Sequence, residues 1–127
     1  MQTDGRQALG AAGERFAAAH LSALGFTLVD RNYRTRHGEL DLVAADDRHL
    51  VFCEVKARVA RTARPAIQPL AAVDGRKRRR LRLMAREWLA ARPAGGVRRA
   101  ELRFDAIGVT VDPSGGLVSL EHLEGAF

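Results

Sequence analysis

The sequence predicts an α/β protein in which helices flank a mixed β-sheet, with the elements in the order α-β-β-β-α-β-β. Three observations carry this prediction. Apolar residues recur at helical spacing near the N-terminus and again beyond the middle of the chain. Between these stretches, two β-rich runs flank a polar turn and predict a hairpin, and two more β-rich runs follow the second helix. No linker or repeat interrupts the pattern, so we expect a single domain over residues 1–127.

Length and composition limit the class of protein. The chain has 127 residues, enough for one core, and its hydrophobic content of 46% is ordinary for a folded protein. Its longest apolar run is far shorter than a membrane span, and the N-terminal residues lack the apolar region of a signal peptide. The single cysteine rules out an internal disulfide and suits a reducing compartment. We therefore expect a cytoplasmic protein with no membrane partner.

The charge balance favours a polyanionic partner. Lys and Arg number 21 against 15 acidic residues, which gives a net charge of +6. Such an excess promotes contacts with phosphates and the release of counterions from nucleic acid. Many small basic proteins nevertheless bind no nucleic acid specifically, so charge alone leaves nucleic-acid binding and a merely solvated surface equally open.

The first helix is predicted over Thr3–Leu24 and ends at Gly25. An apolar stripe defines its buried face: Leu9, Ala12, Phe16, Ala19, Ala23 and Leu24. Glu14 lies beside this stripe, and periodicity alone favours a solvated side chain there, since unpaired Glu is rarely buried. His20 points toward the apolar side and is predicted to be a packed histidine rather than a ligand.

A short strand, Phe26–Asn32, is predicted to lead into a polar connection, Asn32–His37. In that connection Tyr33 stands among arginines that include Arg34 and Arg36. Tyr33 could stack on a base while the arginines hold phosphates. An ordinary surface loop with one anchoring tyrosine is the equally open alternative.

The next two strands, Leu40–Ala45 and Leu50–Ala57, are joined by the turn Asp46–His49. Because side chains alternate along a strand, one face of the second strand is apolar and is predicted to face the core. That face carries Val51, Cys53, Val55 and Ala57. The opposite face carries Phe52, Glu54, Lys56 and Arg58.

The turn length determines the register of this hairpin. With four turn residues, Asp41 lies opposite Glu54 and Glu39 lies opposite Lys56. Carboxylates directly across a ladder repel each other, so Asp41 and Glu54 need a positive charge between them. Lys56 is one candidate and a divalent cation such as Mg²⁺, which prefers oxygen ligands, is the better one. A turn one residue longer or shorter would put the two carboxylates on opposite faces.

Such a metal could polarise a phosphate and lower the pKa of a bound water. Lys56 could orient that water or neutralise charge that develops on the phosphate. The residues alone therefore predict phosphate chemistry at the hairpin.

A long loop, Arg58–Leu70, precedes a second helix over Val73–Arg92, and Gln68 in this loop is a weaker site candidate. The first half of the helix carries five consecutive cations. Such a run is usually a solvated face, but beside a candidate phosphate-cutting site it favours a clamp on the DNA backbone. The predicted nucleic-acid contacts are Arg34, Arg36, Arg58, Arg76, Lys77, Arg79 and Arg80.

Two final strands are predicted over Leu102–Val111 and Leu117–Leu123, the second at an edge of the sheet. Asp105 falls inside the first of them. An arginine could pair with this acid, and its connection to the candidate site is left open.

Asp41 followed by Glu54-Val55-Lys56 resembles the PD-(D/E)xK nuclease signature. The wider pattern resembles the YraN family (UPF0102) of small bacterial proteins over about residues 10–112. This likeness rests on Gly13-Glu14, Arg31-Asn32-Tyr33-Arg34, Gly38-Glu39-Leu40-Asp41, the run Phe52–Arg58, Lys77 and Arg103-Phe104-Asp105. Leu40 stands where Ile is usual and Cys53 where an aliphatic residue is usual, and neither change touches the acidic positions.

The resemblance implies a restriction-endonuclease-like fold related to that of archaeal Holliday junction resolvases. It also implies that Asp41, Glu54 and the Val55 carbonyl bind Mg²⁺ or Mn²⁺, with Lys56 positioning the attacking water. Related resolvases place a helical Glu beside the metal, which favours Glu14 as an auxiliary acid together with Glu39.

The implied substrate is DNA, with branched DNA among the candidates, and symmetric cutting of a junction would require a homodimer. Two other functions stay open: a nucleic-acid-binding protein that keeps the fold without useful catalysis, and an interaction protein whose charges are only solvated.

Overall fold

The computed structural model describes residues 5–60, 75–92 and 101–127. Its elements follow the predicted order α-β-β-β-α-β-β. They are α1 (Gly5–Ala23), β1 (Thr27–Thr35), β2 (Gly38–Ala45), β3 (His49–Val59), α2 (Gly75–Ala90), β4 (Glu101–Val111) and β5 (Leu117–Leu123). The predictions for the first residues of α1, for Gln68 and the rest of the loop after β3, and for the start of α2 fall outside the described residues.

The sheet is mixed, as predicted. It has five strands in the order β1-β2-β3-β4-β5. Neighbouring strands are antiparallel except for β3 and β4, which run parallel. Parallel neighbours need a crossover connection, and α2 lies in the segment between β3 and β4.

Both faces of the sheet are buried, which corrects the prediction of one core face on β3. Alternate residues of that strand belong to different cores: Val51 and Cys53 pack with residues of α1, while Phe52 packs with residues of α2. On the α2 side, Trp88 is fully buried and packs edge-on against the Phe52 ring, with 5.7 Å between the ring centroids. Phe52 therefore belongs to a second core rather than to an open polar face, because α2 covers it.

The first strand is longer than predicted. The segment Asn32–His37 was expected to be a polar connection, but β1 continues to Thr35 and pairs with β2, with Tyr33 opposite Leu40. Pairing supplies partners for backbone groups that a loop would leave to water. The return to β2 passes through Gly38, whose φ of 133° is one that L side chains rarely adopt.

The end of α1 agrees with the prediction. Gly25 has a φ of 96°, and the backbone N–H of Phe26 donates a 3.0 Å hydrogen bond to the Leu21 carbonyl, which closes the helix. Of the two described helices, neither is long and apolar enough to cross a membrane.

Candidate active site

The predicted hairpin register holds for part of β2 and β3. Val43 pairs with Phe52, and the pairing continues to Leu42 opposite Cys53. Asp41 and Glu54, the next pair in that register, are not paired across the ladder. Instead the Asp41 Oδ2 atom accepts a 2.8 Å hydrogen bond from the backbone N–H of Val55. The Asp41 side chain thus takes the acceptor role that a backbone carbonyl has elsewhere in the ladder.

The faces of β2 change phase at the same point. Leu40 and Leu42 would share a face if side chains alternated strictly. Leu40 is instead buried in the core on the α2 side, and Leu42 in the core on the α1 side. Asp41 lies between them, at an irregular position from which its carboxylate reaches both β3 and its acidic neighbours.

Three carboxylates meet at this irregular position. Glu14 on α1, Glu39 on β2 and Asp41 on β2 each offer an oxygen within 4.8 Å of the others. The structure therefore brings together three of the predicted acids and places Glu14 beside Asp41. The auxiliary acid on the helix, which periodicity alone assigned to solvent, faces the other two acids.

Gly13 explains how Glu14 comes so close to the sheet. A Cβ atom added at Gly13 would lie 2.6 Å from the Cβ of Ala57 on β3, a distance that real side chains do not tolerate. Only glycine allows α1 to approach β3 this closely. The following residue, Glu14, is thereby carried to the acidic group.

Asn32 connects two of the acids, and sequence reasoning missed this role. Its Nδ2 atom donates hydrogen bonds of 2.9 and 3.0 Å to the two oxygens of Glu14 and one of 2.9 Å to Glu39 Oε1. Its φ of 51° is left-handed, although it lies inside β1. Asn tolerates this conformation better than most residues. The sequence signal was only the residue type, an Asn inside a β-rich stretch.

The environment raises the pKa of Asp41 to about 6. Burial is the main cause because it disfavours the charged form, and the nearby carboxylates of Glu14, Glu54 and Glu39 add to it. The hydrogen bond from Val55 acts in the opposite direction and favours the ionised form. A cation bound nearby would offset this repulsion and stabilise the ionised form of Asp41.

Glu54 lies outside the group of three and is held by lysines. Its Oε1 atom is 3.4 Å from Lys77 Nζ on α2 and 3.8 Å from Lys56 Nζ on β3. The Lys56 side chain is 59% exposed and that of Lys77 is 29% exposed, so Lys77 is the more enclosed cation. Both lysines that the sequence singled out are thus beside Glu54.

Asp41 and Glu54 nevertheless share one cavity of about 160 Å³. Its charged lining consists of Glu39, Asp41, Glu54, Lys77 and Arg80. Three of the predicted acids, Glu39, Asp41 and Glu54, therefore line one space between the hairpin and α2, whereas Glu14 is not among its lining residues. The carbonyl of Val55, predicted as a third ligand, stays a prediction.

The predicted phosphate contacts fall into three groups. Arg76 and Arg79 are exposed on α2, next to the cavity residues Lys77 and Arg80. Exposed ion pairs engage the two arginines near the first hairpin: Arg34 with Glu39 at 3.6 Å, and Arg36 with Glu87 at 3.3 Å. Arg58 is partly buried on β3. Their contact with nucleic acid stays a prediction.

Asp105 lies in a separate network. It is fully buried, and the Arg103 guanidinium donates hydrogen bonds of 2.9 Å to both of its oxygens. An arginine thus pairs with Asp105, as the sequence suggested. His122 Nε2 lies 2.7 Å from Asp105 Oδ2, and His20 Nε2 lies 3.0 Å from His122 Nδ1. His20 is therefore a packed histidine, as predicted, and this network joins α1, β4 and β5.

Comparison with known proteins gives a family match and several relatives. The model of a family described as "Uncharacterised protein family UPF0102" matches residues 13–109. A UPF0102 protein of Frankia casuarinae is 47% identical over 122 residues, which cover 96% of this chain and 98% of that protein. A UPF0102 protein of Kineococcus radiotolerans is 43% identical and covers 94% of this chain and 93% of its own length. One of Anaeromyxobacter dehalogenans is 44% identical over 98% of this chain and 87% of its own.

Proposed function

The chain belongs to the uncharacterised protein family UPF0102, and from this we propose that it is a Mg²⁺- or Mn²⁺-dependent endonuclease that hydrolyses phosphodiester bonds in DNA, branched DNA included. One observation carries the proposal: the oxygens of Glu14, Glu39 and Asp41 lie within 4.8 Å of one another. Their approach is costly without a cation, and basic residues of α2 lie beside them.

The donor set suits a hard divalent cation. Carboxylate oxygens, with water and substrate phosphate filling the remaining positions, are the ligands typical of Mg²⁺ and Mn²⁺. Asp41 would be the central ligand because Glu14, Glu39 and Glu54 all act on its carboxylate. A bound Mg²⁺ would supply polarisation of the phosphate and a lowered pKa of bound water.

The lysines supply positive charge at the other side of the cavity. Lys77 lines the cavity and its Nζ lies 3.4 Å from Glu54, so it would stabilise negative charge on a phosphate placed there. Lys56 is more exposed and would orient the attacking water, as its place in the signature implies. Glu54 would hold both lysines and complete the ligand set from the α2 side.

The basic face of α2 would hold the DNA backbone. Arg76 and Arg79 are exposed on the helix that carries Lys77 and Arg80 into the cavity, so a strand bound to them leads to the acids. Within the part of the chain that the structure describes, one such acidic group is found. Symmetric cutting of a four-way junction would therefore require a homodimer with two-fold symmetry.

The decisive experiment is a calorimetric titration of the protein with Mn²⁺ and with Mg²⁺. We expect the wild type to bind both metals and Asp41→Ala to lose measurable binding, because the central metal ligand is gone. Asp47→Asn is the matched control, since it removes one exposed carboxylate outside the cavity and should bind like the wild type. Equal binding by wild type and Asp41→Ala, or none by the wild type, would contradict the proposal.

Cleavage is measured next on four-way junctions, flaps and linear duplex. We expect metal-dependent products from the wild type and none from Asp41→Ala. Any product that forms equally with both proteins belongs to a contaminant.

A second candidate function is DNA binding without turnover. The ion pairs of Glu54 with Lys56 and Lys77 favour it, because these lysines neutralise an acid that would otherwise bind metal. Wild-type protein that binds DNA with micromolar affinity but cuts no substrate with either metal would establish this function.

A further inference from the structure

We propose that Asn32 is the positioning residue of the acidic group: its side-chain amide holds Glu14 and Glu39 at the separation that a divalent cation requires. This inference rests on the proposed metal site. It adds a residue that the nuclease signature does not contain, and it explains why two acids from different elements stay together before any metal binds.

The chemistry of the contact determines which end of the amide faces the acids. Ionised carboxylates only accept hydrogen bonds, so the NH₂ group and not the carbonyl must point at them. The Nδ2 atom lies 2.9 and 3.0 Å from the two oxygens of Glu14 and 2.9 Å from Glu39 Oε1. The two N–H bonds of the amide thus serve three carboxylate oxygens on two acids.

The backbone holds the amide in this place. Asn32 has a left-handed φ of 51° between two residues that remain paired with β2, Arg31 with Leu42 and Tyr33 with Leu40. The flanking pairs prevent the chain from relaxing around Asn32. A strained residue that its surroundings enforce is often part of a functional site.

The amide has little competition for this role. Within residues 5–60, 75–92 and 101–127, Glu14 takes part in no ion pair. Glu39 is paired with Arg34 at 3.6 Å, but the Arg34 side chain is 89% exposed and is screened by water. The Asn32 amide is exposed as well, but at 2.9 Å its contact with Glu39 is shorter than that ion pair. It is also the side chain that bonds to both Glu14 and Glu39.

Holding the acids does not block them. A carboxylate has about four acceptor positions, and the amide uses only part of those on Glu14 and Glu39. The remaining lone pairs stay available to a cation, together with those of Asp41. A group that orients ligands in this way typically contributes about 10- to 100-fold to metal affinity.

The test measures Mn²⁺ affinity by calorimetry and thermal unfolding of the metal-free protein for wild type and Asn32→Gly. Glycine adopts the left-handed conformation freely, so this variant keeps the backbone and removes only the amide. We expect Mn²⁺ affinity to fall about 10- to 100-fold while the unfolding midpoint stays close to that of the wild type. A purely structural Asn32 would show the reverse: an altered midpoint with unchanged affinity.

A second variant, Asn32→Asp, keeps the size of the side chain and replaces the donor with an acceptor. We expect a lower unfolding midpoint without metal, because a fourth carboxylate joins the group, and a larger rise on adding Mn²⁺ than in the wild type. If Asn32→Gly does not fold, the Asn32→Asp variant alone tests the positioning role of Asn32.

Wild-type Mn²⁺ affinity in a folded Asn32→Gly would overturn the role of Asn32 and leave the proposed function intact. A midpoint and a Mn²⁺ response equal to those of the wild type in Asn32→Asp would do the same. Wild-type protein that binds no Mn²⁺ would overturn the proposed function, and the role of Asn32 with it.

Discussion

The backbone N–H of Val55 donates a hydrogen bond of 2.8 Å to the carboxylate of Asp41. This bond stands where the ladder between β2 and β3 would otherwise add another pair, after Leu42 and Cys53. A side chain that replaces a backbone acceptor lies within the sheet rather than above it. Asp41 is consequently enclosed by both strands, and Glu14 and Glu54 both act on its pKa.

The first prediction concerns the pH dependence of stability. Burial and neighbouring acids raise the pKa of Asp41 from 3.8 to about 6 in the folded protein. Between these values the folded state binds a proton more tightly than the unfolded state, so the free energy of unfolding falls as pH rises through this window. The Asp41 contribution should therefore be lost between about pH 4 and pH 6, and it amounts to about 3 kcal/mol at most.

The measurement is urea unfolding of wild type and Asp41→Asn at pH values from 4 to 8 without metal. Asn at position 41 can still accept the hydrogen bond from Val55 but does not ionise, so we expect it to be the more stable protein above pH 6. The difference between the two proteins should shrink as pH falls below 6. Asp47→Asn, an exposed control, should follow the wild type at every pH. If wild type and Asp41→Asn instead differ by the same free energy of unfolding across the whole range, the raised pKa of Asp41 is contradicted.

Much of the fold could be predicted because local patterns and tertiary structure agree. The hairpin is the clearest example: four polar turn residues predicted that Val43 faces Phe52, and they do pair. The apolar residues of α1 and the glycine at its end likewise predicted the helix, but the predicted buried face was partly wrong. Ala19, Ala23 and Leu24 of that stripe are exposed, whereas Ala17 and Leu21 are fully buried. The register failed from Asp41 onward, so neither Asp41 with Glu54 nor Glu39 with Lys56 is paired. At Asp41 a side chain takes over a backbone hydrogen bond, and no local pattern reveals such a replacement.

The remaining differences arise from contacts between distant parts of the chain. Phe52 appeared to lie on a polar face because its neighbours in the strand are charged, but α2 covers that position and Trp88 packs against it. Asn32 was expected to begin a loop because the run after it is polar and basic, yet pairing with β2 extends the strand past it. Sequence periodicity describes one element at a time, whereas the acidic group needs α1, β1 and β2 together.

The second prediction concerns DNA binding by α2. Replacing Arg76 and Arg79 with Ala should weaken binding to all DNA sequences alike and reduce the dependence of affinity on salt, since phosphate contacts release counterions and carry no sequence information. Lys77 is left in place because it contacts Glu54, and its loss would disturb the cavity as well. Fluorescence anisotropy at several salt concentrations measures both quantities.

The control for this experiment is the double variant Arg48→Ala, Arg86→Ala. Both arginines are exposed and neither lines the acidic cavity, while the change in net charge is the same. We expect a smaller loss of affinity and a salt slope close to that of the wild type. If both double variants behave alike, the basic run of α2 is only a solvated surface.

The third prediction separates the roles of the two lysines. Lys56→Ala should keep metal and DNA binding but lower the rate of cleavage about 10²- to 10³-fold, because it would orient water or stabilise developing charge. Lys77→Ala should lower the rate as well. In addition, it frees Glu54 from its shorter ion pair, at 3.4 Å against 3.8 Å for Lys56. An acid released in this way can join Asp41 in holding a cation, so we expect Mn²⁺ affinity to rise in Lys77→Ala and to stay unchanged in Lys56→Ala.

Glu54→Gln serves as the reference for both lysine variants, since it removes the charge that they share and keeps the side chain in place. If Glu54 binds metal, this variant should lose Mn²⁺ affinity and cleavage together, and adding Lys77→Ala to it should no longer raise the affinity. If Glu54 only positions the lysines, Glu54→Gln should keep Mn²⁺ affinity and lose cleavage alone. Single-turnover cleavage and calorimetry on the same preparations distinguish these outcomes.

Full cleavage by Lys56→Ala, Lys77→Ala and Glu54→Gln would show that neither lysine acts in the reaction. Any chemistry would then be confined to the group formed by Glu14, Glu39 and Asp41.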